Sequence, residues 1–316
     1  MSQLSDLLGA SFAVVYPGQG SQVVGMGDDL LATSEAARDL YASADRLLGA
    51  PLSQIMHGGP DDVLADTFNA QPALLTHSIA AWQAAESLLI PESLRPSMTA
   101  GHSLGEFTAL VTADVLDFPT ALSLVRERGR LMKEAGEKRP GGMAAILGLD
   151  DEVLVKVCEE ASSEGIINVA NANCPGQTVI SGEVVALEKA MELAKAAGAK
   201  RAQRLNVSIA SHSPLMAEVS AELNRILDGI DLRAPRIPVI GNTTGQPITT
   251  ADGVRDELRH QVELPVQWTT SVRTMVDAGV QTFVELGAGA VLAGLIKRID
   301  RTVKTVSLAD LQAATA

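Results

Sequence analysis

A serine held between two glycines, in Gly101-His102-Ser103-Leu104-Gly105, is the first place where residue type and spacing could do chemistry. A serine hydroxyl attacks poorly unless it is exposed, aligned with a base, and beside donors for the oxyanion that forms on attack. Flanking glycines permit a strained strand-to-helix turn, and the amide of Leu104 then points into the reaction site at a helix N-terminus. The same pattern occurs in surface turns, so its setting matters. It follows the strand-like Ser97-Met98-Thr99-Ala100 and precedes the helix-like Glu106-Phe107-Thr108-Ala109-Leu110-Val111, the order a nucleophile turn requires.

A base must come from five histidines, His57, His77, His102, His212 and His260. His57 stands in a Gly-Gly-Pro turn and His77 inside a helical stretch, which suits structural or solvated roles. His102 adjoins Ser103, but neighbours in a tight turn point apart, so it reads as a supporting residue. His260 ends a polar helical stretch and reads as solvated. His212, in Ala210-Ser211-His212-Ser213-Pro214, lies where a strand-like run meets a capped helix, a position at which α/β folds place functional side chains. Position alone leaves a structural role open for it.

Arg128 bears on the substrate. In a helix expected over 120–135, Ala121, Leu124, Val125, Leu131, Met132 and Ala135 share one apolar face, and Arg128 falls in its middle. A guanidinium cannot shed its proton, so burying it requires an anion or an extended set of acceptors. Either an internal salt bridge or a bidentate clamp for a substrate carboxylate meets that need.

The elements that must position these residues alternate in an α/β manner. Ser11-Phe12-Ala13-Val14-Val15-Tyr16 reads as a buried strand feeding the loop Pro17-Gly18-Gln19-Gly20, and Pro72 as the opening of a helix to about Leu89. From Gly142 the order changes to strand (143–147), helix (151–161), strands (166–169 and 178–180), helix (183–197) and strand (204–207), the βαββαβ order of a ferredoxin-like unit. Both of its ends return to the larger part, so the expected division is a large α/β domain of residues 1–138 and 208–316 with a ferredoxin-like subdomain, 139–207, inserted. Ser213 is placed to cap a helix opened by Pro214. Further strands are expected at 237–240 and 282–286, then a helix to Ile299, and the Ala-rich tail after about Leu308 reads as a frayed end.

With 46% hydrophobic and 20% charged residues, the 316-residue chain can bury a full core. No apolar run has the length of a membrane span and the first residues lack a secretory pattern, so a cytoplasmic protein is expected. Cys158 and Cys174 sit in no ligand or redox spacing. A net charge of -13 argues against a nucleic-acid binder. The local basic groups, Lys195, Lys200, Arg201 and Arg204, then Lys297, Arg298, Arg301 and Lys304, suit either a solvated surface or an acidic protein partner.

Several motifs, in order, resemble the malonyl-CoA:acyl carrier protein transacylases of fatty-acid and polyketide synthesis. They are Pro17-Gly18-Gln19-Gly20-Ser21-Gln22, Thr67 with Gln71-Pro72-Ala73-Leu74-Leu75, Gly101-His102-Ser103-Leu104-Gly105-Glu106, Arg128-Gly129, Asn173-Cys174-Pro175-Gly176-Gln177, Ser211-His212 and Pro265-Val266-Gln267-Trp268. The resemblance implies an α/β-hydrolase-like core with the ferredoxin-like insert and the active site between them. It implies Ser103 as nucleophile, His212 as its base, and Gln261 supplying an amide oxygen that orients the imidazole in place of the usual acid. The amides of Gln19 and Leu104 would form the oxyanion hole, Arg128 would grip the malonyl carboxylate, and Lys200 and Arg201 would meet the acidic carrier protein.

The implied reaction is ping-pong transfer of malonyl from coenzyme A to a phosphopantetheine thiol, with no metal or bound cofactor. A monomer is the default expectation for the oligomeric state. Gly287-Ala288-Gly289 departs from the family's Gly-Pro-Gly. Ile209-Ala210-Ser211-His212 partly resembles the tetrapeptide of methylmalonyl-selecting acyltransferases, though malonyl remains the expected group. The rivals are a serine thioester hydrolase or esterase, in which the histidine usually lies near the chain end and Arg128 has no task, and a non-catalytic docking scaffold.

Overall fold

The computed structural model describes residues 3–91 and 93–315. Among the described residues, ten strands form two sheets: β1 (Phe12–Tyr16), β2 (Met98–Gly101), β3 (Gly141–Leu147), β4 (Ile167–Cys174), β5 (Gln177–Glu183), β6 (Arg201–Arg204), β7 (Val239–Ile240), β8 (Pro247–Ile248), β9 (Thr282–Glu285) and β10 (Lys304–Ser307).

The larger sheet has the order β10-β9-β1-β2-β7-β8, parallel except for β8. All of β1 is buried, as a parallel strand covered on both faces must be. Successive side chains enter opposite cores: Val14 and Tyr16 join one apolar cluster with Leu74 and Leu110, and Ala13 and Val15 join the other with Trp268 and Phe283. The strand ends that carry Tyr16 and Gly101 lie in register, which brings the loops after β1 and β2 together.

The smaller sheet is antiparallel, with the order β4-β5-β3-β6, and the helices Asp151–Ala161 and Val184–Ala196 pack over it on a separate core of Ala144, Ile146, Leu154 and Leu187. This is the ferredoxin-like arrangement beside the α/β-hydrolase-like sheet. The two units meet where Ala172 and Val266 share a main-chain bond of 2.9 Å and where Arg298 donates to Gln177 at 2.5 Å.

Four local expectations change. The last strand of the small sheet is Arg201–Arg204, not 204–207: an edge strand wears charges that hide it, and the apolar alternation of Leu205 and Val207 belongs to the segment leaving it. The tail is helical over Leu308–Ala313 rather than frayed: β10 pairs with β9 just before it, a capping box between Ser307 and Asp310 opens the helix, and Leu311 is completely buried. The helix assigned to open at Pro72 begins at Thr67, with Asp66 as its cap. Proline deprives the Phe68 carbonyl of a helical donor, and Arg126 Nη1 supplies one at 2.6 Å. The turn capped by Ser213 is a short 3₁₀ segment, Pro214–Met216, ahead of the helix Ala217–Asp228. No described helix is long and apolar enough to cross a membrane.

Candidate active site

Ser103 sits between the end of β2 and the helix Gly105–Thr112, with a left-handed φ of 50° that a non-glycine residue adopts only under constraint. The glycines on either side make the turn possible. A Cβ on Gly101 would stand 1.9 Å from the Gly105 carbonyl carbon, and one on Gly105 would stand 2.1 Å from the Tyr16 carbonyl oxygen. Asn242 braces the turn from outside: its Oδ1 accepts from the Ser103 amide at 2.6 Å and its Nδ2 donates to the Gly101 carbonyl at 2.7 Å.

His212 also has a left-handed φ, 57°, and its ring is buried. Nδ1 faces two main-chain carbonyls, Gln261 O at 2.9 Å and Leu264 O at 3.1 Å. Both can only accept, so Nδ1 carries the proton and Nε2 is left as an acceptor. Nε2 lies 2.8 Å from Ser103 Oγ, which therefore donates to it. Burial above all, with the charges of Arg128 and His102 adding to it, pushes the imidazole down to about 3. The ring is thus neutral at physiological pH and able to take a proton. The oxygen that orients it belongs to the Gln261 main chain, whereas the Gln261 side-chain amide turns to other partners.

Those partners define the second half of the site. Gln261 Nε2 donates to the Ser103 carbonyl and to Glu106 Oε2, each at 2.8 Å, and Gln261 Oε1 accepts from Arg128 Nη2 at 3.0 Å. Arg128 lies in the helix Phe118–Lys138 and is 2% exposed. Its Nη1 donates to Gln71 Oε1 at 2.8 Å, Nη2 reaches Ser103 Oγ at 3.2 Å, and Nε has no partner among the described residues. None of the ion pairs among the described residues includes it. Burial holds the guanidinium down to about 10, still charged at neutral pH, and the nearby Glu106 carboxyl opposes that shift. A buried cation with free donors beside a nucleophilic oxygen can receive an anionic group attached to that oxygen.

The loop after β1 packs on the serine turn so closely that a Cβ on Gly18 would lie 2.4 Å from the His102 carbonyl oxygen. Gln19 is exposed in that loop, with its side-chain oxygen accepting from Thr67 Oγ1 at 2.8 Å. Leu104 caps the helix that follows Ser103, so its amide belongs to the group without a helical acceptor. Lys200 and Arg201 are exposed at the start of the edge strand β6. Of the other histidines, His102 is held by Asn173 at 2.8 Å, His77 by the Tyr41 hydroxyl at 3.0 Å, while His57 and His260 are exposed.

Three residues of the site carried no role in the sequence reading. Gln71 and Glu106 stood inside quoted motifs, where adjacency to Pro72 and Gly105 was the only signal. Asn242 had none beyond its place after the strand-like 237–240, and it meets Ser103 across 139 positions of chain.

The fold and this constellation, a serine on a strained turn with a neutral imidazole and a buried arginine, fit the class of acyl transferases. Residues 13–314 match the acyl transferase domain. The chain is 44% identical over 305 residues to the malonyl CoA-acyl carrier protein transacylase of Escherichia coli K12, covering 96% of this chain and 98% of that protein. It is 42% identical over 302 residues to the Bacillus subtilis protein of the same name, covering 95% and 94%. Among solved structures, an acyl carrier protein S-malonyltransferase from Vibrio cholerae superposes with a TM-score of 0.91 at 42% identity, covering 96% of this chain and 99% of that one. A malonyl-transacylase in complex with a type II polyketide-synthase acyl-carrier protein gives a TM-score of 0.93 at 40% identity, covering 96% and 99%. The chain belongs to the acyl transferase family, among its malonyl CoA-acyl carrier protein transacylases.

Proposed function

We infer that the protein transfers malonyl from coenzyme A to the phosphopantetheine thiol of an acyl carrier protein, through malonyl-Ser103, in fatty-acid or polyketide synthesis. The observation that carries the malonyl assignment is Arg128, buried without an ion-pair partner among the described residues and with Nη2 3.2 Å from Ser103 Oγ.

In this reading Ser103 Oγ attacks the thioester carbonyl as its proton passes to His212 Nε2, and the amides of Gln19 and Leu104 receive the oxyanion. The C–S bond breaks, and coenzyme A leaves as the thiol with the proton from His212. The ester on Oγ carries its carboxylate one methylene beyond the carbonyl, a short reach that suits Arg128. The carrier thiol then gives its proton to His212 and attacks the ester, and Ser103 recovers its hydrogen from the imidazolium. The main-chain oxygens of Gln261 and Leu264 hold the tautomer throughout, which needs no buried carboxylate in a site that must receive one.

Coenzyme A enters as a thioester substrate, and no step of this scheme calls on a metal or bound cofactor. The exposed Lys200 and Arg201 at the edge of the small sheet are assigned to the acidic carrier protein. The division into residues 1–138 with 208–316, and 139–207, is supported by the separate cores of the two sheets. One chain supplies every catalytic side chain named, which favours a working monomer, and the unpaired Cys158 and Cys174 suit a cytoplasmic setting. Incubation with malonyl-CoA followed by intact mass measurement tests the assignment. The wild type should gain one malonyl group and Ser103→Ala none; an unmodified wild type, or an adduct that survives the substitution, defeats it.

A further inference from the structure

Arg128 is a charge kept available in the interior, and the residues around it explain how. A buried arginine ordinarily pairs with a carboxylate, because desolvation of an unpaired cation is costly. Here both terminal nitrogens are held by neutral amide oxygens, Gln71 Oε1 at 2.8 Å and Gln261 Oε1 at 3.0 Å. Neither amide can be turned around. Gln261 Nε2 faces two acceptors, the Ser103 carbonyl and Glu106 Oε2, while Gln71 Nε2 faces Thr67 Oγ1 at 2.9 Å, whose own hydrogen goes to Gln19 Oε1. The oxygens must therefore point at the guanidinium. Glu106 touches Gln261 rather than Arg128, and burial together with the neighbouring Glu257 carboxyl pushes it well above the usual carboxylate range, so it is poorly suited to cancel the charge.

We propose that Gln71 is a specificity-determining residue: its neutral amide aims Arg128 without pairing its charge, leaving the substrate carboxylate as the anion that completes the site. The proposal rests on the malonyl reading above. Its content is that neutrality at position 71, rather than hydrogen bonding as such, sets the preference for a charged acyl group. Position 71 isolates this question better than 261, since a carboxylate at 261 would also face the Ser103 carbonyl. At 71, the second oxygen of a glutamate meets, among the described residues, the Thr67 hydroxyl, which donates to it by releasing the Gln19 side-chain oxygen, and the Met132 sulfur at 3.4 Å.

The test is single-turnover acylation of the full-length protein by malonyl-CoA and by acetyl-CoA, read by intact mass, for wild type, Gln71→Glu and Gln71→Met. In Gln71→Glu an internal ion pair should replace the substrate's, and the malonyl-to-acetyl rate ratio should fall by about ten- to a hundredfold, the scale of one charged hydrogen bond. Gln71→Met, uncharged and similar in length, should slow both reactions yet keep the ratio within about threefold of wild type. A Gln71→Glu protein that retains the wild-type ratio overturns the inference, as does a Gln71→Met protein that loses the ratio as fully as the glutamate does. Should Gln71→Glu fail to fold, Gln71→Met decides alone: a retained ratio supports neutrality and a lost one overturns it. A wild type that forms no malonyl adduct sinks the malonyl reading itself, an outcome distinct from any change of ratio among the variants.

Discussion

The two halves of the site are positioned by different means. Ser103 and His212 owe their places to the main chain: each has a left-handed φ, the imidazole is tethered to two backbone carbonyls, and the serine turn exists because Gly101 and Gly105 leave room for it. Arg128 sits on an ordinary helix and is aimed by side chains, the amides of Gln71 and Gln261. Geometry fixed by backbone packing is shared by any reaction at the serine, whereas geometry fixed by side chains can select the acyl group without disturbing the nucleophile. Damage to the first half should therefore slow every acyl donor alike, and damage to the second should change which donor is preferred.

The largest test of that contrast is Gly105→Ala. Its Cβ would press on the Tyr16 carbonyl, so β1 and the serine turn must separate, and acylation by malonyl-CoA and acetyl-CoA should fall together by about a hundredfold. A change in their ratio instead would break the comparison. Asn242→Ala is milder, because the turn keeps its glycines but the Ser103 amide loses its acceptor. We expect a loss of about 2 kcal/mol in denaturant unfolding and about a tenfold drop in acylation rate, again equal for both donors.

The smallest expected effect is a flat pH response. Protonation would silence His212 as a base, and its pKa, pushed down to about 3 by burial, moves that loss far below the ordinary value near 6.5. The acylation kcat/KM should stay level from pH 7 to about pH 5; a break near the ordinary histidine value would contradict the buried neutral ring.

Of the half built by the main chain, the serine turn was legible in the sequence, whereas His212 took its role from the family resemblance. Strand, Gly-flanked serine and helix describe a local turn, and local turns leave their signature in consecutive residues. Arg128 was legible for the opposite reason, as a charge on an apolar helical face that its neighbours could not explain. What held these residues was harder to read. Asn242 and Gln71 act across long chain separations, and a polar residue bears no mark of which distant donor it will meet. The family resemblance supplied an oxygen from Gln261, and the structure assigns that task to its main chain while its side chain serves Arg128. The fold shows the same pattern. The βαββαβ order was readable from periodicity, but β6 was misplaced because an edge strand carries charges, and the final helix was hidden by an alanine-rich composition despite its Ser307 and Asp310 capping pair.

The central claim is that Arg128 selects the acyl group that Ser103 accepts, and single-turnover acylation of Arg128→Ala with malonyl-CoA and acetyl-CoA tests it most directly. The account predicts that malonyl transfer to Ser103 falls by about a hundredfold or more while acetyl transfer is maintained or rises. An Arg128→Ala protein that still prefers malonyl as strongly as the wild type would contradict it.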